Sequence, residues 1–365
     1  MLPNPRLVVC LLVRPILGVI MHRAFSILAL ISASTLVFCY APTVGQHQPL
    51  SVRCASAAKN RSIRISGSYM ESKAIVAVLS SPGSHWVGDG FPVRTIFSAH
   101  ANDARAISPF LLLDYAGPHS FPASADGKPR GVDEHPHRGF ETVTIVYQGE
   151  LEHRDSGGHS GKIGPGDVQW MTAASGVVHE EKHAAGFTRR GGTLEMVQLW
   201  VNLPAREKMA SPRYQEILAS SIPLVHLPHD ASTLRVIAGQ FDGQRGPAKT
   251  VTPINVWDMQ LRAGGDATFK LPPDSNTLVL ILRGQARVGT SRTIRAHECA
   301  VLSREGESLN IQAIDDSAIL LLNGEPIDEP VVAHGPFVMN TRAEIQQAMR
   351  DYHSGQMGRL EPVAD

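Results

Sequence analysis

The sequence predicts an all-β protein made of two similar halves in tandem, closed by one short helix. Short apolar runs alternate with turns containing Gly, Pro, Asn or Asp over most of the chain. The same rhythm begins again after Pro223, which predicts a duplicated antiparallel barrel. Near the C-terminus the apolar residues adopt helical spacing instead.

The first 69 residues differ in composition from the rest. The chain has 365 residues with 34 basic and 34 acidic side chains, a balance that predicts no direct nucleic-acid partner. Residues 1–70, however, contain seven basic residues and no Asp or Glu, and residues 24–41 form an uncharged, mostly apolar run. Such a break marks a segment of different origin or purpose.

Several interpretations of residues 1–69 stay open. A secretory signal starting at Met21, an organellar targeting segment and a single membrane anchor each fit part of the pattern. We favour a misplaced start, with the protein beginning near Met70, because everything recognisable follows that residue. Cys299 alone lies after Met70, which predicts a packed thiol and a cytoplasmic protein, with export or organelle targeting as the alternative.

The first half, residues 70–212, is predicted to form one barrel. Its expected strands and loops come in a fixed order: strands at 74–79, 93–97 and 110–113, a loop at 116–133, then strands carrying 135–147, 168–171, 177–181 and 195–201. The segment 202–212 is expected to leave this domain.

The second half, residues 213–340, repeats the pattern. Its expected strands are 234–238, 254–261, 277–282, 286–288, 299–302, 309–313 and 318–322. In the tail, 341–365, Thr341 and Glu344 form a capping-box pattern. Ile345, Ala348 and Tyr352 follow at helical spacing and predict a short helix that packs on the outside.

Two pairs of polar residues in the first half point to a metal. His135 and His137, and then His179 and Glu181, are each two apart, so each pair projects from one face of a strand. Three imidazoles and a carboxylate suit Fe(II), and less decisively Mn, Ni, Cu or Zn. Glu141 continues the same odd-numbered face as the first pair, so spacing alone leaves either carboxylate as the fourth ligand.

Several longer sequence motifs resemble those of the pirin family of the cupin superfamily. They are P-F-L-L-L-D at 109–114, H-P-H-R-G-F-E-T-V at 135–143, G-H-S-G-K-I-G-P-G-D-V-Q-W-M-T-A at 158–173, G-V-V-H-E-E at 176–181, L-W-V-N-L at 199–203 and H-G-P-F-V-M-N-T at 334–341. The resemblance extends from Met70 to the C-terminus. It implies two tandem cupin-type antiparallel β-barrels, a bicupin, with one iron in the first barrel.

The resemblance also implies the ligands His135, His137, His179 and Glu181. Glu141 then becomes a residue that could orient an imidazole. The second half has L-P-P-D-S-N-T at 271–277 instead of a histidine pair, which predicts a metal-free barrel where His297 and His334 are structural. The nearby His153, Asp155 and His159 are candidates for the cavity wall.

Two functions follow from the resemblance. As an enzyme, the protein would be a quercetin 2,3-dioxygenase that opens a flavonol ring with O2 and loss of carbon monoxide, with Glu181 as ligand and as base for the flavonol proton. Alternatively, it would be an iron-dependent redox sensor that docks a transcription factor or a metabolic enzyme. An open metal site in an enclosed barrel favours the small-molecule substrate.

Overall fold

A computed structural model describes residues 71–228, 232–289 and 292–361. The chain forms two tandem antiparallel cupin barrels there, followed by a short helix, so the predicted fold class is confirmed. Residues 1–69, with the apolar run at 24–41 and three of the four cysteines, lie outside the described residues. No helix in the described part is both long and apolar enough to cross a membrane.

The elements up to the end of the first barrel follow in chain order. They are β1 (Ile75–Ser80), β2 (His85–Val87), β3 (Phe91–Ser98), α1 (Ala104–Ile107), β4 (Phe110–Phe121), β5 (Gly131–His137), β6 (Phe140–Gln148), β7 (Leu151–Asp155), β8 (Ser160–Ile163), β9 (Val168–Thr172), β10 (Val177–His183), α2 (Ala185–Arg190), β11 (Gly192–Asn202) and β12 (Arg213–Ile217).

The second barrel and the tail complete the fold. Their elements are β13 (Leu224–His226), β14 (Thr233–Ala238), β15 (Gln240–Phe241), β16 (Gln244–Arg245), β17 (Ile254–Leu261), β18 (Asp266–Lys270), β19 (Asn276–Arg283), β20 (Gln285–Val288), β21 (Arg292–Arg295), β22 (Glu298–Leu302), β23 (Ser308–Ala313), β24 (Ser317–Gly324), β25 (Val332–His334), β26 (Phe337–Met339) and α3 (Arg342–His353).

Each barrel combines a seven-stranded sheet with a four-stranded one. The first uses the orders β12-β9-β6-β11-β4-β3-β2 and β5-β10-β7-β8. The second uses β1-β22-β19-β24-β17-β14-β13 and β18-β23-β20-β21. The strand orders of the two barrels match position by position. The duplication predicted from the repeated pattern of strands and turns is therefore seen in the topology.

One strand of each large sheet comes from the other side of the predicted domain boundaries. β1 precedes the first barrel in sequence but pairs with β22 of the second. β12 follows the boundary at 212 but pairs with β9 of the first barrel. The barrels therefore exchange edge strands at equivalent positions, which a division of the sequence into consecutive halves does not capture.

The loop expected at 116–133 is wrong at both ends. β4 continues to Phe121 by pairing with β11, and β5 already begins at Gly131. The register of β4 against β11 shifts beside Gly117, whose φ of +106° brings the position of a Cβ within 2.4 Å of the Leu194 carbonyl oxygen. The turn-forming residues there mark a bulge inside a strand and not the end of that strand.

The largest apolar cluster lies between the barrels. It joins outward-facing side chains of the first barrel, including Leu113, Trp170 and Leu199, to Leu280 and Leu320 of the second. Cys299 is fully buried in the same cluster, and burial raises the pKa of its thiol to about 12, as expected for a packed cysteine.

The C-terminal helix begins with the predicted capping box. The Thr341 hydroxyl accepts a hydrogen bond from the Glu344 amide at 3.2 Å, and the Glu344 carboxylate accepts one from the Thr341 amide at 2.7 Å. Ile345 and Ala348 are buried against Val178 of β10 and Met357, so the helix packs on the outside of the first barrel.

Candidate metal centre

Three imidazoles meet inside the first barrel. His135 and His137 lie on β5, and His179 lies on the neighbouring β10, where it pairs directly with His135. One ring nitrogen of each lies within 4.8 Å of the others. The spacing of two residues predicted for the first pair is what brings both rings to one face, because β5 is extended through His137.

The first two imidazoles are oriented by backbone oxygens. Nδ1 of His135 lies 2.8 Å from the Asp133 carbonyl oxygen, and Nδ1 of His137 lies 3.2 Å from that of Pro336. A carbonyl only accepts, so both Nδ1 atoms carry the proton. Nε2 of each ring therefore keeps its lone pair, which is the arrangement that metal-binding histidines need.

His179 provides the clearest sign that the site fits a metal. Its Nδ1 lies 3.3 Å from Nδ1 of His153, whereas its Nε2 is buried without a hydrogen-bond partner. A buried ring nitrogen without a hydrogen-bond partner is costly unless something binds it. Burial, followed by the nearby His135, lowers the pKa of both His137 and His179, which keeps these rings neutral and able to bind a cation.

Glu181 points into the barrel but stands apart from the group of three histidines. Its Oε1 accepts hydrogen bonds from Thr144 at 3.2 Å and Gln169 at 3.3 Å, and its Oε2 accepts one from Gln198 at 3.2 Å. The pairing of β10 with β5 shifts register between His179 and Glu181, which offsets the carboxylate from the imidazoles. Its role as fourth ligand stays a prediction.

The inward direction predicted for Glu141 is wrong. Its carboxylate accepts a 2.7 Å hydrogen bond from Thr172, and the next residues of the same parity, Val143 and Ile145, pack in the cluster between the barrels. Thr144, of the opposite parity, is the residue that reaches Glu181. Glu141 thus projects from the outer face of the sheet, opposite to the imidazoles, and does not orient any of them.

The reason lies between β5 and β6. The two strands belong to different sheets, and Gly139 turns the chain between them with φ of +90°. The alternation of side chains restarts after this corner, so odd residues face inward on β5 and outward on β6. Gly139, two residues after His137, was the signal in the sequence that the alternation of side chains would not continue unbroken.

The polar lining of the cavity was missed by the sequence analysis. Thr144, Gln169 and Gln198 come from three strands of the large sheet and meet around Glu181. Nothing in their local sequence marks them, because they become neighbours only through strand pairing. Of the predicted wall residues, His153 and Asp155 are buried inside, and His159 is half-exposed and stacks on Tyr214.

The two ends of the barrel interior differ. At the end away from the metal site, His183 on β10 packs edge-on against Phe91, Phe121 and Phe187 within an apolar cluster. At the histidine end, Trp200 lies against both Phe140 and His137, with ring centroids 4.3 and 5.3 Å away. The site therefore has an apolar floor and an aromatic wall.

The second barrel has no comparable interior among its described residues. Its strands β18 and β23 correspond to β5 and β10 in sheet order, and they pair the buried Phe269 with the buried Leu309, whereas β5 and β10 pair His135 with His179. Trp257 and further apolar side chains fill the remaining space. The inward-facing residues there thus pack against one another, and a metal-free second barrel stays a prediction.

Duplicated cupin barrels, with an imidazole cluster in the first that could hold a metal, define a bicupin. The chain belongs to the pirin family: residues 90–201 match the family description Pirin, and residues 256–358 match the Pirin C-terminal cupin domain. These two matches confirm the resemblance that the sequence motifs indicated.

Relatives and solved structures agree with this assignment. A Pseudomonas aeruginosa protein provisionally named quercetin 2,3-dioxygenase is 53% identical over 79% of this chain and 99% of its own. Human pirin is 36% identical over 78% of this chain and 94% of its own. The crystal structure of quercetin 2,3-dioxygenase from Acinetobacter baumannii superposes with a TM-score of 0.77 and 46% identity, covering 80% of this chain and all of that one.

Proposed function

We propose that this protein is a mononuclear iron dioxygenase that opens the ring of flavonols such as quercetin with O2 and releases carbon monoxide. The observation that carries the proposal is the convergence of three histidines in an enclosed barrel with a free, buried Nε2 on His179. The names of the Pseudomonas and Acinetobacter proteins support the same substrate class.

The donor set favours a metal of intermediate hardness. His135, His137 and His179 would hold it through Nε2, and Glu181 would supply an oxygen. Nitrogen with one oxygen suits Fe(II), and Mn, Ni, Cu or Zn are the alternatives. When bound, such an ion supplies Lewis-acid and oxygen-activating chemistry, since fewer than six protein ligands leave coordination positions open.

The residues around the site suit a planar phenolic substrate. Trp200 and Phe140 offer an aromatic wall next to His137. Glu181 is held in place by Thr144, Gln169 and Gln198, so its carboxylate is positioned to accept the proton of a flavonol hydroxyl. The apolar floor below His183 keeps bulk water away from this proton transfer.

Paired Glu→Gln variants test the enzyme. Iron-loaded wild-type protein should consume O2 and release carbon monoxide with quercetin, whereas Glu181→Gln should lose about 100-fold or more in rate because ligand and base are removed together. Glu141→Gln is the matched control, because Glu141 faces away from the site. Absence of turnover in the iron-loaded wild type, or full turnover in Glu181→Gln, would contradict the proposal.

A regulatory function is the second proposal, and contacts of the tail favour it. The ligand candidate His137 is held by the Pro336 carbonyl, and the next residue, Arg138, forms a 2.7 Å ion pair with Asp351 of α3. A change in metal charge would therefore reach a surface helix through two short links. Iron-dependent capture of a protein partner, with no turnover of phenols, is the result that this proposal requires.

We also propose a cytoplasmic location, with the mature protein starting near Met70. It rests on the single cysteine after that residue and on the composition of residues 1–69. N-terminal sequencing of the native protein tests it, and an end within residues 22–69 would support export or organelle targeting instead.

A further inference from the structure

His179 differs from the other two metal-facing histidines in what holds it. His135 and His137 donate to backbone carbonyls, whereas Nδ1 of His179 meets Nδ1 of a second imidazole, His153, at 3.3 Å. Two facing nitrogens form a hydrogen bond only if one is protonated and the other is not. The direction of this bond decides whether His179 can present a free Nε2 to a metal.

Asp155 fixes one end of the hydrogen-bonded series formed by Asp155, His153 and His179. Its Oδ2 lies 3.2 Å from Nε2 of His153, and both side chains are at most 2% exposed. A carboxylate can only accept, so Nε2 of His153 carries the proton and its Nδ1 carries the lone pair. The other carboxylate oxygen, Oδ1, accepts from the backbone amides of Gly157 at 2.8 Å and His159 at 3.1 Å, which holds Asp155 in position.

Gln169 leads independently to the same tautomer. Its Nε2 lies 3.3 Å from Oε1 of Glu181 and 3.4 Å from Nδ1 of His153, while its Oε1 accepts from the Tyr214 hydroxyl at 3.4 Å. Because Glu181 is an acceptor, the amide nitrogen must face it, and the second amide hydrogen then points at His153. Nδ1 of His153 thus faces the amide group of Gln169, which is a donor, as an acceptor should.

We infer that Asp155 and His153 are positioning residues that set the tautomer of His179 and thereby its ability to bind the metal. The proton order runs from Asp155, which accepts from Nε2–H of His153, to His153 Nδ1, which accepts from Nδ1–H of His179. Nε2 of His179 is left with its lone pair, in agreement with its burial without a partner. Tyr214 keeps the ring of His153 in plane by stacking on it at 4.8 Å and 12°.

Asp155→Asn is the most informative variant because it should reverse the order of donors and acceptors from residue 155 through His153 to His179, whereas other substitutions only remove a hydrogen bond. If the oxygen of the substituted side chain keeps the two loop amides, its NH2 group faces Nε2 of His153. His153 must then carry its proton on Nδ1, His179 must accept there, and Nε2 of His179 becomes protonated. His153→Phe removes the hydrogen bonds to Asp155 and His179 but retains an aromatic ring that can stack on Tyr214.

The experiment uses the full chain, Zn(II) as the probe, and two measurements. Competition with a chromophoric chelator should give Zn(II) affinities about 10- to 100-fold weaker for both variants. Glu141→Gln, a buried carboxylate on the other face of the sheet, should stay within about twofold. Nitrogen NMR of 15N-histidine-labelled, Zn(II)-loaded wild type should show His153 protonated on Nε2 alone and His179 protonated on Nδ1. In Asp155→Asn the proton of His153 should move to Nδ1, a change that a purely structural role would not produce.

The outcomes separate this inference from the proposed function on whose metal site it rests. Zn(II) binding needs no turnover, so an inactive protein with the expected affinities leaves the inference standing. A wild type that binds no Zn(II) contradicts the metal site itself. Unchanged affinity in a folded Asp155→Asn protein, or a wild-type His153 protonated on Nδ1, overturns the inference alone, and the wild-type spectrum decides if the variants fail to fold.

Discussion

Lys208 is a buried lysine that ties the first barrel to the C-terminal segment. Its Nζ donates to the Gly139 carbonyl at 2.6 Å, to Oδ1 of Asn202 at 2.7 Å and to the Val338 carbonyl at 3.0 Å. The side chain is almost fully buried, and burial lowers its pKa to about 7. Charge burial at this point is therefore costly below neutral pH.

The lowered pKa predicts a pH-dependent stability. Above pH 7 the folded state has lost a proton that the unfolded chain keeps until its pKa near 10.5, so the free energy of unfolding rises with pH in this window. One such group contributes a slope of up to about 1.4 kcal/mol per pH unit. Between pH 7.5 and 9, Lys208→Met should remove this slope in urea titrations. Parallel slopes for the two proteins would contradict the prediction.

At the residue scale, the sequence predicts what lies close along one strand. The imidazoles of His135 and His137 share a face because they are two apart in extended chain. Glu141 is four residues beyond His137, but a corner separates them, so the same parity argument failed there. Gln169 and Lys208 reach their partners across sheets, and no local spacing could have indicated those contacts.

The corner between β5 and β6 is the element that orients the metal site. Gly139 has φ of +90°, and a Cβ built on it would lie 1.9 Å from the Val338 carbonyl oxygen and 2.8 Å from Sδ of Met339. The backbone of β26 thus packs directly on the corner. Only glycine allows both the turn and this close approach.

Gly139→Ala should therefore be strongly destabilising and should weaken metal binding. The strained φ costs about 1–2 kcal/mol, and displacement of β26 adds at least about 1 kcal/mol. Gly127→Ala is the matched control, since Gly127 also has positive φ (+69°) but nothing lies within 4 Å of its added Cβ. Urea unfolding should give the larger loss for Gly139→Ala, and equal losses would show that the contact with β26 is unimportant.

Strands with a continuous apolar run were predicted almost to the residue, as for β17 at Ile254–Leu261. In the small sheet of the second barrel, β20 and β23 were predicted, whereas β18 and β21 were missed. In β18, Ala267 and Phe269 are buried while Thr268 and Lys270 are exposed, and three of the five residues are polar. Such a short alternation resembles a loop until a partner strand is known.

At the scale of the whole molecule, the barrels are joined by a shared core with polar contacts at its edge. Glu195 of β11 is fully buried, and both of its carboxylate oxygens accept from the Arg283 guanidinium of the second barrel, at 2.8 and 2.9 Å. Tyr115 and Gln148 donate to the same carboxylate at 2.7 and 2.8 Å. A buried carboxylate with this many partners fixes how the two barrels meet.

The exchange of β1 and β12 extends this dependence to the sheets themselves. β1 supplies an edge of the second barrel, and its Ile75 and Val78 pack on the apolar interior of that barrel. β12 is left without its partner β9 when the chain is cut at 212. A fragment of residues 213–340 would thus lose one strand, carry one unpaired strand and expose its face of the shared cluster.

We therefore expect residues 213–340 not to fold alone, although sequence rhythm marks them as a domain. The exposed face includes Leu280 and Leu320, whose burial against the first barrel contributes about 1.5–3 kcal/mol for each side chain. The isolated fragment should bind a hydrophobic dye and unfold without a cooperative transition, whereas the full chain should unfold in one step by tryptophan fluorescence and circular dichroism.

Residues 71–340 provide the control, because they keep both exchanged strands and lack only the final helix and tail. If 213–340 melts cooperatively with native-like circular dichroism, the exchanged strand and the shared core are dispensable, and the boundary read from the sequence is also a boundary in folding.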